Sequence, residues 1–470
     1  MTYKVIIAGA GPGGAVLARE LARKKLDVAI YEKGEFKDLG HDWSDAVELV
    51  ALKEAGLEMP ELLNGSWKGK LVKERHDAEG LFEKHAVTQL RVNSPGYADC
   101  KVAEFKMITT DRRRLGQHLI NEALEAGAEV FYNHEVNRLL FRENGRKGPG
   151  GVDVHGIKFK NLLTGEEKEI HADLVVESSG FKSILRSCLP AYTGLAEPFS
   201  DSEYALVHRE VRLYEPDDLS LTAVPDQYRY GFCTGYQWSH IHNDNQIDIG
   251  AGVKNEPGKP DPRDIIEEFI LRNQAIKDEK IRGGRSLCIV GRPLTSFVTN
   301  GFFVIGDAAS TSVPTTGCGV GSAMLAALWA ADVISEAAEE QRNDIGILWR
   351  INRKFYGDSD RGKSFAALSA LRMMLQTFSH DELDYLFKKN LLDASTLQNA
   401  INGIFVPPGL LKTIRALSGI GRPALLLKLN KAVGTAVKIY KHYNEYPGQW
   451  DDTLYEEWKS RADDLHRIAF

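Results

Sequence analysis

Cysteine is scarce and dispersed. The 470 residues hold five, Cys100, Cys188, Cys233, Cys288 and Cys318, with no C-x-x-C pair. That spacing excludes a disulfide framework and a zinc-ribbon ligand set, and it fits a reducing compartment. No metal site is expected. Positive charge is not in excess either. With 59 Lys and Arg against 65 Asp and Glu the net charge is −6, so no nucleic-acid partner is expected. No apolar run approaches the ~20 residues that cross a bilayer. Internal repeats and low-complexity segments are absent. The first apolar run starts at Lys4, which leaves no room for a leader and predicts a cytoplasmic protein. Hydrophobic residues (43%) and charged residues (26%) stand in ordinary globular proportion, and the length predicts two or three domains.

What is present begins at the N-terminus. Lys4-Val5-Ile6-Ile7-Ala8 is a β-branched run leading into Gly9-Ala10-Gly11-Pro12-Gly13-Gly14. A helical pattern follows, with Ala15, Leu17, Ala18, Leu21 and Ala22 on its apolar side, and then a second run, Asp27 to Tyr31, ending at Glu32 and Lys33. Strand, glycine turn, helix, strand and acid, in this order, make a dinucleotide site. Gly9 permits the turn, Gly11 admits a pyrophosphate close to the backbone, and Gly14 lets helix and strand pack. The helix N-terminus offers free amides to the phosphates. Glu32, 18 residues after Gly14, is placed to take ribose hydroxyls.

Further along, Gly40 to Glu48 reads as a polar loop entering a helix capped by Ser44 or Asp45, with Glu48 set for a capping box. Residues 66–110 read as an excursion of short strands. Thr110-Asp111 caps a clear helix ended by Gly127, and Ala128 to Tyr132 is the next strand. A polar turn, 145–151, precedes a hairpin over 152–171, and Asp173 to Glu177 is another apolar strand. Residues 195–285 alternate and predict an antiparallel sheet with a core of Val207, Val211, Tyr230, Phe232, Trp238, Ile241, Ile247 and Ile249. Phe302 to Ile305 then runs into Gly306-Asp307, and Pro314-Thr315-Thr316-Gly317-Cys318-Gly319-Val320-Gly321 opens a long helix. The rest is mostly helical, and 409–443 carries seven Lys and Arg and no acid.

The fold expected is α/β (α+β overall). A discontinuous Rossmann-like domain takes 1–65, 100–190 and 286–335. An antiparallel substrate domain takes 66–99 and 191–285, and a helical region 336–470. Asp307 is placed to accept hydrogen bonds from a polyol, which a flavin's ribityl chain supplies and NAD lacks. The amides at Gly317, Gly319 and Gly321 suit negative charge on a reduced ring.

These motifs resemble the FAD-dependent oxidoreductases with the p-hydroxybenzoate hydroxylase fold. The resemblance rests on Gly9-x-Gly11-x-x-Gly14 with Glu32, on Asp111-Arg112-x-x-Leu115, and on Gly306-Asp307 with Pro314-x-x-Gly317-x-Gly319. It covers roughly the first 335 residues, with Gly180-x-x-Ser183-x-x-Arg186 in keeping. It implies FAD, with Arg112 reaching the flavin or its pyrophosphate. Within that superfamily the chain is most similar to the geranylgeranyl reductases, which saturate isoprenoid C=C bonds. Tyr236-Gln237-Trp238 followed by Gly250-Ala251-Gly252 resembles their motif, with eleven residues between Trp238 and Gly250. Ser239-His240 stands where that family often has Phe-Pro, and His41-Asp42-Trp43 where it has a cysteine. The Trp-x-Trp-x-Ile-Pro of tryptophan halogenases is absent.

The reading that follows is a flavoenzyme reducing an apolar, lipid-like substrate. Two alternatives stand beside it: an aromatic monooxygenase using FAD, NAD(P)H and O2, and a non-catalytic prenyl-binding protein. No second G-x-G-x-x-G fold exists for a nicotinamide, so NAD(P)H or ferredoxin would donate electrons transiently. Trp43 and Asp45 read equally as the substrate face and as a capping loop. Tyr236 and Trp238 share a strand face, as core packing first and pocket walls second. His240 and His242 read as solvent-facing or as proton donors, and Cys318 as apolar filler. The basic stretch 409–443 reads as a solvated helical face or as a contact with an anionic membrane. Oligomeric state is not legible.

Overall fold

The computed structural model describes residues 4–57, 61–64, 72–76, 80–82, 85–87, 89–215, 227–231, 234–243, 245–409 and 421–468. Its centre is a six-stranded sheet in the order Glu129–Phe131, Asp27–Tyr31, Lys4–Ala8, Leu174–Glu177, Phe302–Val304, Val298–Thr299. The first five are parallel and the last is antiparallel. Val5, Ile6 and Ile7 have no exposed surface, as an unbroken apolar run demands of a strand covered on both faces. Helices Pro12–Arg23, Arg112–Ala126 and Val320–Glu339 form one layer. A three-stranded sheet, His134–Glu143, Val152–Asn161 and Glu167–His171, lies across the strands elsewhere, tied by Tyr31, Phe131 and Phe159 with ring centroids 4.9 Å apart.

A seven-stranded sheet forms the second body, in the order Ile276–Ile289, Tyr204–Tyr214, Gln246–Lys254, Gly235–Asn243, Gln227–Tyr230, Gln89–Asn93, Cys100–Glu104. Its pairings are antiparallel except Gln227–Tyr230 with Gln89–Asn93, where the earlier excursion joins in parallel. Its core residues divide by the two-residue period of a strand. Ile241, Ile247 and Ile249 pack with Ile265, Ile266 and Ile270 of helix Pro262–Leu271. Trp238 and Val207 pack with the larger core on the other side. The side chains of Tyr230, Phe232 and His242 lie outside the described residues.

One local expectation fails. Ser44–Glu48 is a strand, paired antiparallel with Met107–Asp111, and the helix begins only at Leu49. Tertiary pairing overrides the local capping signal: Ser44 and Val47 are fully buried, and Glu48 accepts a hydrogen bond from Arg361 at 2.9 Å. The cap at Asp111 forms as expected, accepting from the amides of Arg113 and Arg114 at 3.0 Å. Asp111 also pairs with Arg282 at 2.8 Å. Burial, the largest single influence, pushes its carboxyl up, but those amides and Arg282 together hold it below the usual range. A depressed folded-state value means that its contribution is complete above the ordinary aspartate range and lost as pH falls through the folded value. Asp111→Ala is therefore expected to lose about 1–2 kcal/mol at pH 7, with the gap narrowing in urea melts as the pH is taken progressively below the ordinary aspartate range.

Helices Ile345–Arg353, Arg361–Leu375, His380–Lys388, Ala394–Ile401, Pro423–Tyr443 and Asp452–Arg467 follow. Gln376, just after the second of these, donates to the Thr234 carbonyl at 2.7 Å, so this region closes over the seven-stranded sheet. Of the basic stretch, 410–420 lies outside the described residues. Arg422 pairs with Asp381 at 2.6 Å and Lys428 with Glu382 at 2.8 Å, while Lys431, Lys438 and Lys441 are exposed. Helix Val320–Glu339 is long and apolar enough to cross a bilayer by length and composition, yet 72% of that span is buried in the fold, as befits a core helix.

Candidate cofactor and substrate site

One cavity of about 470 Å³ runs between the two sheets and the C-terminal helices. Gly9, Gly11, Pro12, Gly13, Glu32, Lys33, Arg112, Gly306, Asp307, Pro314, Gly317, Gly319 and Val320 line it, as do Trp43, Asp45, Tyr236, Trp238 and His240. Gly14 sits behind the wall, its amide donating to Ser178 Oγ at 3.2 Å.

At one end the first turn and the second strand are locked together by Glu32. Its carboxylate accepts from the amides of Ala10 and Gly34, both at 2.8 Å. His134, Glu135 and Val136 complete this end. Arg112 lies further in, largely buried, 3.8 Å from Asp45. Its Nε and Nη1 are buried without a hydrogen-bond partner. A buried cation with unmet donors is a strong seat for an anion such as a pyrophosphate. Asp307 stands in the turn opposite, its Oδ1 accepting from Ser312 Oγ at 2.8 Å. Desolvation in the cleft pushes its carboxyl up, with Ser312 and the charge of Arg112 opposing. The turn 314–319 leads into the N-terminus of helix Val320–Glu339. Burial raises the Cys318 thiol to about 12 and pushes Cys288 well up, so both remain neutral.

At the other end the wall is the seven-stranded sheet. Trp43 stacks on His41 with ring centroids 4.1 Å apart. Asp45 stands 3.8 Å from Arg112 and 3.7 Å from Arg209, and Arg209 pairs tightly with Asp248 on the adjacent strand. The result is a ladder of alternating charge along the cavity wall. Burial alone would push Arg209 down, but Asp248 and Asp45 outweigh it and hold the guanidinium charged. The same guanidinium lies 5.4 Å from the ring of Trp238, which covers Gly250, a position where any side chain would collide with the indole. Tyr236 donates to the Thr316 carbonyl at 2.5 Å, and His240 is 8% exposed, with its ring 6.3 Å from that of Phe105.

Arg209, Asp248, Cys288, Arg372, Leu375 and Phe378 also line the cavity without having been anticipated. Asp248 had a signal, as the lone acid inside an otherwise apolar strand. The others had none, because separate elements bring them to the cleft. Arg186, by contrast, is structural, donating to the carbonyls of Leu195 at 2.7 Å and Glu197 at 2.6 Å. Among the described residues no group of three or more His, Cys, Asp or Glu side chains could hold a metal ion.

A parallel sheet with a glycine turn, an acid on the second strand and a second turn carrying Asp307 define a flavin-dependent oxidoreductase. The chain belongs to the FAD binding domain family, whose profile matches residues 2–347. Along 98% of its length it is 26% identical to a digeranylgeranylglycerophospholipid reductase of Sulfolobus acidocaldarius, of which it covers 99%. A digeranylgeranylglycerophospholipid reductase 2 of Methanopyrus kandleri is 23% identical over 86% of this chain and 93% of its own. In structure it is similar to a geranylgeranyl bacteriochlorophyll reductase-like protein from Thermoplasma acidophilum, with a TM-score of 0.68, 18% identity and coverage of 92% and 99% of the two chains.

Proposed function

We propose that this FAD-dependent oxidoreductase saturates C=C bonds of an isoprenoid, lipid-like chain. The observation that carries the reading is the near full-length match to a digeranylgeranylglycerophospholipid reductase. Apolar residues in the cavity lining, among them Trp238, Leu375, Phe378 and Leu383, support it.

The residues present fit FAD. Glu32 would hold the adenosine ribose and Asp307 the ribityl chain. The amides of the first turn, with Arg112, would take the pyrophosphate, and helix Val320–Glu339 would present its N-terminus to the ring. Bound and reduced, FAD supplies a hydride. The chain's own residues do the rest. The sheet and the helix Arg361–Leu375 exclude water, Tyr236 and Trp238 orient the hydrocarbon, and His240 donates the proton that completes the saturated bond. Electrons reach the site from NAD(P)H or ferredoxin acting transiently. Leu427, 72% exposed, lies on the helix that carries the exposed Lys431, Lys438 and Lys441, a face suited to an anionic bilayer holding such a substrate.

Arg112→Leu is expected to weaken FAD binding roughly 10- to 100-fold, the loss of a charge-assisted hydrogen-bond seat, read by fluorescence titration of the apoprotein. The function itself is tested by photoreducing the protein without oxygen and adding prenyl lipids and aromatics in turn. Reoxidation by a prenyl lipid, with a saturated product, supports the reductase. Reoxidation that needs O2 and yields a hydroxylated product makes it a monooxygenase. A protein that binds prenyl lipids but takes up no FAD is a carrier.

A further inference from the structure

Between the seven-stranded sheet and the C-terminal helices lies a second, smaller void of about 40 Å³. Leu368, Leu371, Leu392, Leu397, Ile401 and Val92 give it an apolar lining. Its polar neighbours are turned to other partners. Thr315 Oγ1 donates to the Ala400 carbonyl at 2.5 Å, Thr396 Oγ1 to Asp393 at 2.7 Å, and Arg372 to Gln376 at 3.1 Å. The void exceeds the ~10–15 Å³ that one water needs, and its lining is predominantly apolar, which suits it to hydrocarbon.

The void and the main cavity share one wall, made by Tyr236, Thr315, Thr316, Arg372 and Leu375. Tyr236 is its central piece. The ring is held across the wall by the hydroxyl's hydrogen bond to the Thr316 carbonyl and by Trp238, 5.4 Å away. We propose that Tyr236 is a specificity-determining stop for an apolar chain, and that the void behind it is the space a longer chain would occupy. This rests on the reading of the substrate as an isoprenoid chain. It goes beyond that reading by naming the residue that sets chain length and the chamber that lies past it.

The stop follows from rigidity. A ring pinned at both its hydroxyl and its face yields less to an incoming chain than a free side chain would. Removing it opens a continuous apolar path toward Leu371 and Leu397. Adding bulk at Leu371, which lines only the rear void, closes that path again without touching the main cavity.

The test uses the FAD-loaded protein, its Tyr236→Ala and Tyr236→Phe variants, and the double variant Tyr236→Ala with Leu371→Phe. Prenyl alcohols of stepwise increasing length are the probes. Binding is read from the perturbed flavin absorbance, and reduction from anaerobic reoxidation of photoreduced flavin. Tyr236→Ala is expected to raise affinity for chains one isoprene unit beyond the wild-type limit by about tenfold relative to shorter ones, a shift of about 1.4 kcal/mol. Leu371→Phe added to it is expected to restore the wild-type limit, and Tyr236→Phe, which loses the hydroxyl pin but keeps the ring, to relax the limit less than Tyr236→Ala does.

A length profile unchanged by Tyr236→Ala, with FAD still bound, overturns the stop, as does a uniform loss at every length. If chains bind with the expected shifts but none reoxidises the flavin, the reductase reading falls and the stop stands. If chains reoxidise the flavin but no variant moves the limit, the stop falls and the reductase reading stands. If no chain binds at all, both fall.

Discussion

Gly9→Val is expected to yield a colourless protein that does not turn yellow when FAD is added. The backbone at Gly9 has a φ of +102°, and a Cβ there would lie 2.5 Å from the Ser178 carbonyl oxygen. A β-branched residue in that conformation is strained by about 1–2 kcal/mol. The collision is with backbone, which no rotamer relieves, and overpacking of this kind costs about 1–3 kcal/mol more. Either the turn moves out of the place from which its amides face the cavity, or the strand pair Lys4–Ala8 and Leu174–Glu177 separates. FAD affinity should fall by more than about 100-fold, and the melting temperature should drop with it. Gly56→Ala is the control. Its φ is +73° with nothing within 4 Å of the added carbon, so it should cost only the backbone strain and leave the protein yellow. Wild-type FAD affinity in Gly9→Val, by titration of the apoprotein, would remove the cradle assigned to the first turn.

The second large effect is expected from the buried charge ladder. Asp248 is 1% exposed and Arg209 is its tight partner. Arg209→Met leaves that carboxylate buried without its cation, a change worth about 3–5 kcal/mol when one member of a buried pair is removed. The sign with pH follows from the charge left behind. A buried, unpaired carboxylate has a raised folded value, so the variant should be least stable at neutral pH and regain part of the loss as acid protonates Asp248. Adding Asp248→Leu to Arg209→Met should recover most of the stability at pH 7, because the uncompensated charge is gone. Urea unfolding of the three proteins at pH 5 and pH 7 checks both points. A double variant no more stable than Arg209→Met would mean that Arg209 acts by packing on Trp238 rather than by neutralising Asp248.

The cradle half of the cavity was legible in the sequence because its parts are local. A strand, a glycine turn, a helix and Glu32 follow one another within 32 residues, and Gly306-Asp307 with the 314–319 turn repeats that economy at the carboxyl end of another parallel strand of the same sheet. Local chemistry could mislead even there. Ser44, Asp45 and Glu48 have the residue types and spacing of a helix start, but the strand Met107–Asp111 recruits them, because an extended Ser44–Glu48 buries Ser44 and Val47 completely. Trp238 meets both readings of its strand face: it packs in the larger core and also lines the cavity, while Ile241, Ile247 and Ile249 turn toward the helix Pro262–Leu271.

The sequence by itself determined the class of cofactor site, through glycines where backbone must come close, and acids at the ends of strands. Those demands are met within a few residues of chain, so spacing alone expresses them. Only the tertiary structure decided what else lines the cavity. Arg209, Asp248, Arg372, Leu375 and Phe378 reach one cavity from two strands of the antiparallel sheet and from the C-terminal helical region. No periodicity links them, and their charges and apolar surfaces acquire meaning only once the helix Arg361–Leu375 is laid over the sheet and the wall at Tyr236 is closed.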